Sequence, residues 1–177
     1  MKTTLVSCLL LFLFILLPGL SKKSQAQQPA DYEIQANIIY RFTKYIKWPD
    51  TKKTSDFIIG IVGDSPLSDA LKVFTAGKTA ANRKIIIKRF SASAAIFDCQ
   101  ILFISGDESN NLKKIALKTA SNPLLIVTEE DGLALKGSCI NFTVVADHLK
   151  LEINKNNIEQ RDLNIASELL QLGTVVK

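Results

Sequence analysis

The residues able to do chemistry are few, and their spacing builds no catalytic set. His148 is the only histidine in the 177-residue chain, and no carboxylate or thiol stands at ligand spacing from it. A lone imidazole does not make a zinc site, and without a second histidine there is no triad. No serine occupies a Gly-x-Ser-x-Gly elbow, and Cys99 lacks a local partner that would activate its thiol. Gly60-x-x-Gly63 falls between a strand pattern and a helix pattern, where phosphate loops occur, but it has neither the dinucleotide fingerprint nor the Walker lysine. Asp64 at the helix mouth would repel an anion, so the motif reads as a tight turn. No catalytic residue, metal ligand or cofactor is assigned.

Acidic residues gather at one place instead. Asp64, Asp107, Glu108, Thr128, Glu129, Glu130 and Asp131 follow predicted strands, and open α/β sheets bind ligands at the carboxyl ends of their strands. The set faintly resembles the acidic pocket of a response-regulator receiver domain, or a divalent-cation site. It lacks an aspartate at the very end of the third strand and a lysine after the fifth. Helix caps and loop carboxylates account for most of it.

The C-terminal segment carries a different signal. Lys150 to Asn154 alternates strictly, which turns Leu151 and Ile153 to the core and Glu152 and Asn154 the other way. Ile158 is a lone aliphatic in the polar run Asn154 to Asp162. Its ordinary role is to pack its short helix down; beside an outward Glu152 it is also the candidate anchor for a partner protein. Trp48, at the end of the first predicted helix, is a second candidate contact.

The elements that must position these residues alternate. Tyr32 to Lys47 reads as an amphipathic helix, with Asp31 as cap, Ile34, Ile38, Phe42 and Tyr45 on one face and Arg41, Lys44 and Lys47 on a solvated one. Trp48-Pro49 ends it. Strands follow at Phe57 to Val62, Ile85 to Phe90, Ile101 to Ile104 and Leu124 to Val127. Between them lie a helix capped by Ser65-Pro66, a turn or short helix from Ser91 to Phe97, and a helix from Asn110 to Thr119. Asp131 to Leu135 forms a short helical or loop segment. Ile140 to Val145 and Lys150 to Ile153 form a hairpin around Ala146-Asp147-His148, and short helices at Asn156 to Gln160 and Ala166 to Leu172 close the chain. The fold class is α/β: a Rossmann-like three-layer sandwich whose mostly parallel sheet ends in an antiparallel hairpin. In a flavodoxin-like strand order one strand separates Cys99 from Cys139, a gap of roughly 9–10 Å that a disulfide does not span.

The N-terminus sets the compartment. Lys2, the apolar run Leu5 to Leu17, the break at Pro18-Gly19 and the small residues of Ser24-Gln25-Ala26 are laid out as a signal peptide cleaved after Ala26. Residues 1–26 are therefore read as leader and 27–177 as one domain. Cleavage removes Lys2, Lys22 and Lys23 and no acid, lowering the formal charge from +5 to +2. No dense basic patch with interleaved aromatics remains, which argues against nucleic acid as partner.

Taken in order, several blocks resemble the YfiR/HmsC-like family of periplasmic regulatory proteins. They are Phe42 to Pro49, Ile59 to Leu67, Cys99 to Ser105, Gly137 to Phe142, Leu151 to Asn154 and Leu163 to Leu170. The resemblance implies a Rossmann-like periplasmic domain that represses an inner-membrane diguanylate cyclase by binding its periplasmic part. It further implies release by a peptidoglycan-associated outer-membrane lipoprotein, and members that are often dimeric. Cys139, Gln100 and Ala166 depart from the residues usual in the family, at positions that look structural. The expectation is a non-enzymatic repressor acting through Glu152, Asn154, Ile158 and Trp48. The alternative is a small-molecule or metal-ion binder using Asp64, Asp107 and Glu129.

Overall fold

The computed structural model describes residues 29–49 and 56–177; the leader expected at residues 1–26 lies outside them. The chain opens with helix α1 (Pro29–Tyr45), which passes into a two-residue strand β1 (Ile46–Lys47). Next come β2 (Asp56–Val62), α2 (Leu67–Thr75), β3 (Thr79–Ala80), β4 (Arg83–Phe90) and β5 (Ile101–Ile104). A 3-10 segment (Gly106–Asn111) leads into α3 (Leu112–Lys118), then β6 (Leu125–Thr128) and a second 3-10 turn (Leu133–Lys136). The chain finishes with β7 (Ile140–Val145), β8 (His148–Asn154), α4 (Lys155–Glu159), β9 (Asn164–Ile165), α5 (Ser167–Leu170) and β10 (Thr174–Val176).

Eight strands form one sheet in the order β10-β8-β7-β6-β5-β2-β4-β3. The run from β7 to β4 is parallel throughout, while β8 and β3 attach as antiparallel neighbours and β10 adds parallel to β8. The central strands β5 and β6 are buried along their whole length, as strands covered on both faces must be. One face carries α1, which packs on α2 and α5 and stacks Phe42 on Phe142 of β7 at 6.5 Å. The other face carries the second 3-10 turn and α4, tied to β8 by hydrogen bonds from the Asn154 and Asn157 amides to the Ala134 carbonyl. A separate two-stranded ribbon joins β1 to β9 antiparallel, pairing Ile46 with Ile165.

The expected strand order holds, with β6 between the strands that follow Cys99 and Cys139. Both thiols are buried and they are not bonded to each other.

Several local expectations change. Asp31 lies inside the first turn of α1 and is not its cap, because the helix starts at Pro29. The buried face of α1 is Gln35, Ala36, Ile39 and Phe42, whereas Ile34 is 50% exposed. Two apolar rows run along this helix, and the row with Gln35 in it faces the sheet. The short strand β3 lies where the sequence shows no strand pattern. It joins β4 through Ala81-Asn82, both at positive φ, and alanine hides the usual signature of such a turn. The turn at Ala146-Asp147 has the same form, so His148 starts β8 opposite Val145 instead of lying in the turn.

Candidate functional site

Ile158, expected to stand out and anchor a partner, is fully buried in the core. It packs the short helix α4 down and offers no surface. Asn154, expected to point out, is also buried. Its Oδ1 accepts from the Asn157 N–H, capping α4, while its amide donates to the Ala134 carbonyl at 2.9 Å. Both positions hold the C-terminal segment together.

Glu152 is half-buried and accepts a hydrogen bond at 2.9 Å from the Asn141 amide. Asn141 also donates to the Glu130 carbonyl and accepts from the Thr128 hydroxyl at 2.6 Å. Glu152 is thus the outer member of a polar chain that ties β8 to the end of β6. Trp48 lies at the opposite end of the sheet. Its indole N–H donates to the Gln100 carbonyl at 3.1 Å, and its ring meets Phe57 edge-on at 5.2 Å. Of the three residues expected on the C-terminal surface only Glu152 reaches solvent, and Trp48, the second candidate, lies apart from it.

A groove that the sequence did not single out lies between α1 and the C-terminal elements. It encloses about 390 Å³ and is walled by Ile34 and Ile38 of α1, Leu149 and Leu151 of β8, and Leu169 and Leu172 around α5. Leu172 is 54% exposed, and Val144, which pairs with Leu149, is 52% exposed. Exposed aliphatics gathered along one groove, unlike scattered ones, are a mark of an interaction site. The charged residues lining the groove are Arg41 and Lys150, both cationic. The signal was present as the row Ile34, Ile38, but its neighbours come from residues 149–172 and only the fold brings them alongside.

The acidic groups at the strand ends do come together. Asp107 Oδ2 accepts from the Asp64 N–H at 3.3 Å, and Glu129 Oε1 accepts from the Gly106 N–H at 3.2 Å. The crevice between β2 and β5, where this strand order changes direction, is filled by the protein itself. Gly63 sits at φ +90°, and a Cβ there would fall 1.9 Å from Ser105 Oγ and 2.6 Å from Asp107 Oδ1. The Ser105 hydroxyl lies at 2.9 Å from the Val62 carbonyl and closes the gap further. Among the described residues no group of three or more His, Cys, Asp or Glu side chains is disposed to hold a metal ion.

Glu129 is the unusual member. Burial pushes its carboxyl up to about 7, and the negative charges of Asp107 and Glu130 add to the rise, while the Gly106 N–H and the Gln35 amide oppose it. Its Oε2 is buried without a hydrogen bond, as are both amide atoms of Gln35. Tyr32, one turn before Gln35, is raised by its own burial and by the Glu129 charge. Sequence patterning missed this trio because glutamine on an apolar helix face reads as solvent-exposed.

Among the described residues no helix is long and apolar enough to cross a membrane. A model of the family described as YfiR/HmsC-like matches residues 32–174, most of the chain and all of its sheet but the last two residues of β10. No individually curated protein matches the chain.

Proposed function

Because the chain belongs to the YfiR/HmsC-like family, a family of periplasmic regulators, we propose that it restrains an inner-membrane signalling protein by binding that protein's periplasmic part. The partner class we favour is a diguanylate cyclase. The regulator contributes no chemistry of its own; its effect comes from stabilising the inactive conformation of what it binds.

The observation that supports this reading is the groove between α1 and β8. Ile34 and Leu172 stand open at its walls, and Arg41 and Lys150 are its charged lining. A segment with apolar anchors and an acidic flank fits both features. Apolar contact at the centre would supply affinity, and the cationic lining would set orientation and association rate. A peptidoglycan-associated lipoprotein that relieves repression would compete for the same face.

The test is binding of the purified protein to the periplasmic domain of an inner-membrane cyclase that it controls in its own host. Ile34→Asp and Leu172→Asp should each weaken binding by about tenfold or more, the scale of one lost apolar anchor. The melting temperature should hold, because both side chains are already half in water. Binding that survives both changes would remove the groove from consideration.

A further inference from the structure

The first turns of α1 cover a buried pair of polar groups, Gln35 and Glu129, whose pairing depends on the protonation of Glu129. Gln35 is fully buried, and neither its oxygen nor its nitrogen makes a hydrogen bond. Glu129 reaches the same space from the end of β6, with Oε1 on the Gly106 N–H and Oε2 buried and unbonded. A carboxylate only accepts hydrogen bonds, whereas a carboxylic acid carries one O–H donor. The Gln35 N–H can face either form of Glu129, but only the acid form also supplies a donor for the Gln35 oxygen. Ionisation removes that donor and places a charge beside Asp107 and Glu130, with Tyr32 of α1 as the other titratable group against it and Asp31 beyond Tyr32. The two charges that raise it, Asp107 and Glu130, are both negative.

We infer that Glu129 and Gln35 form a proton-operated latch on α1: the acid form seats the helix on the strand ends, and the carboxylate loosens its first two turns. This rests on the functional reading above, because Ile34 and Ile38 on the outer side of those turns wall the partner groove. Loosening α1 removes one wall of the groove. The regulator would then hold its partner in acid and release it as pH rises.

Hydrogen exchange on the purified protein, corrected for the intrinsic rate at each pH, tests the latch without a partner. Protection of amides at residues 33–39 should fall about tenfold or more between pH 6 and 8, while α3 changes little. Glu129→Gln, a permanent neutral donor, should abolish the change, and His148→Gln should leave it intact. Protection that stays level with pH in the wild type, or still falls in Glu129→Gln, overturns the latch. Partner binding measured across the same range separates the two ideas. If α1 loosens and binding does not follow, the latch stands and the groove is the wrong surface.

Discussion

At the scale of single residues, the physical environment of a side chain decides its role more than its type does. Glu129 illustrates this through linkage. Its folded carboxyl titrates near 7, above the ordinary value of 4.5, so between those pH values the folded chain holds a proton that the unfolded chain has lost. Stability from this group is full below pH 4.5, falls as pH rises to about 7, and is level above that. The loss amounts to about 3 kcal/mol. Glu129→Gln should erase the slope, leaving the variant more stable than wild type at pH 8 and little different at pH 4, as read by urea denaturation at each pH. A wild-type stability that rises from pH 5 to 7, with the same rise in the variant, would contradict the assignment. Ile158 and Glu152 make the complementary point. Sequence alternation correctly turned Leu151 and Ile153 inward, but it could not show that Asn154 would be covered from the other face by Ala134. Nor could it reveal that Glu152 would be held by Asn141. Long-range hydrogen bonds are invisible to a local pattern.

At the scale of elements, period and punctuation were legible, and orientation was not. The helix at α1 and the strands β2, β5 and β7 lie where the pattern placed them. The face that α1 buries did not follow, because apolar residues occupy two of its rows and the buried row includes a glutamine. Arg161 shows how an element depends on a residue far along the chain. It is buried, and its guanidinium donates to the Thr119 carbonyl at 2.8 Å and the Ala116 carbonyl at 3.1 Å. These carbonyls end α3, where a helix has unpaired acceptors and favours a cation. Arg161→Met should leave both acceptors short of a donor and cost about 2 kcal/mol, a fall of several degrees in melting temperature. The thermal transition of the purified variant checks it; an unchanged midpoint would mean water replaces the guanidinium without loss.

At the scale of the whole molecule, the strand order was readable because parallel βαβ connections admit few arrangements. The groove was not, since it is assembled from α1, β8 and α5, which are far apart in sequence. Its charge leads to a prediction about association. With Arg41 and Lys150 lining it, partner binding should weaken with salt, mainly through a slower on-rate. The double variant Arg41→Glu, Lys150→Glu should lose most of that salt dependence, measurable by stopped-flow or surface-based kinetics. A wild-type on-rate indifferent to salt would show that charge plays no part in guiding the partner.

The β1–β9 ribbon has a consequence for the history of each molecule. It joins residue 46 to residue 165, and β10 is laid beside β8 later still in the chain. Contacts spanning most of a sequence cannot form until nearly all of it is present, and they slow the search for the native state. The early helix α1 meets α2 soon after it is made, but its seat on β7 and the ribbon that ends it wait for the later segments. A chain threaded through a membrane from its N-terminus would therefore remain pliable until almost its whole length had crossed. It would lock only on the far side.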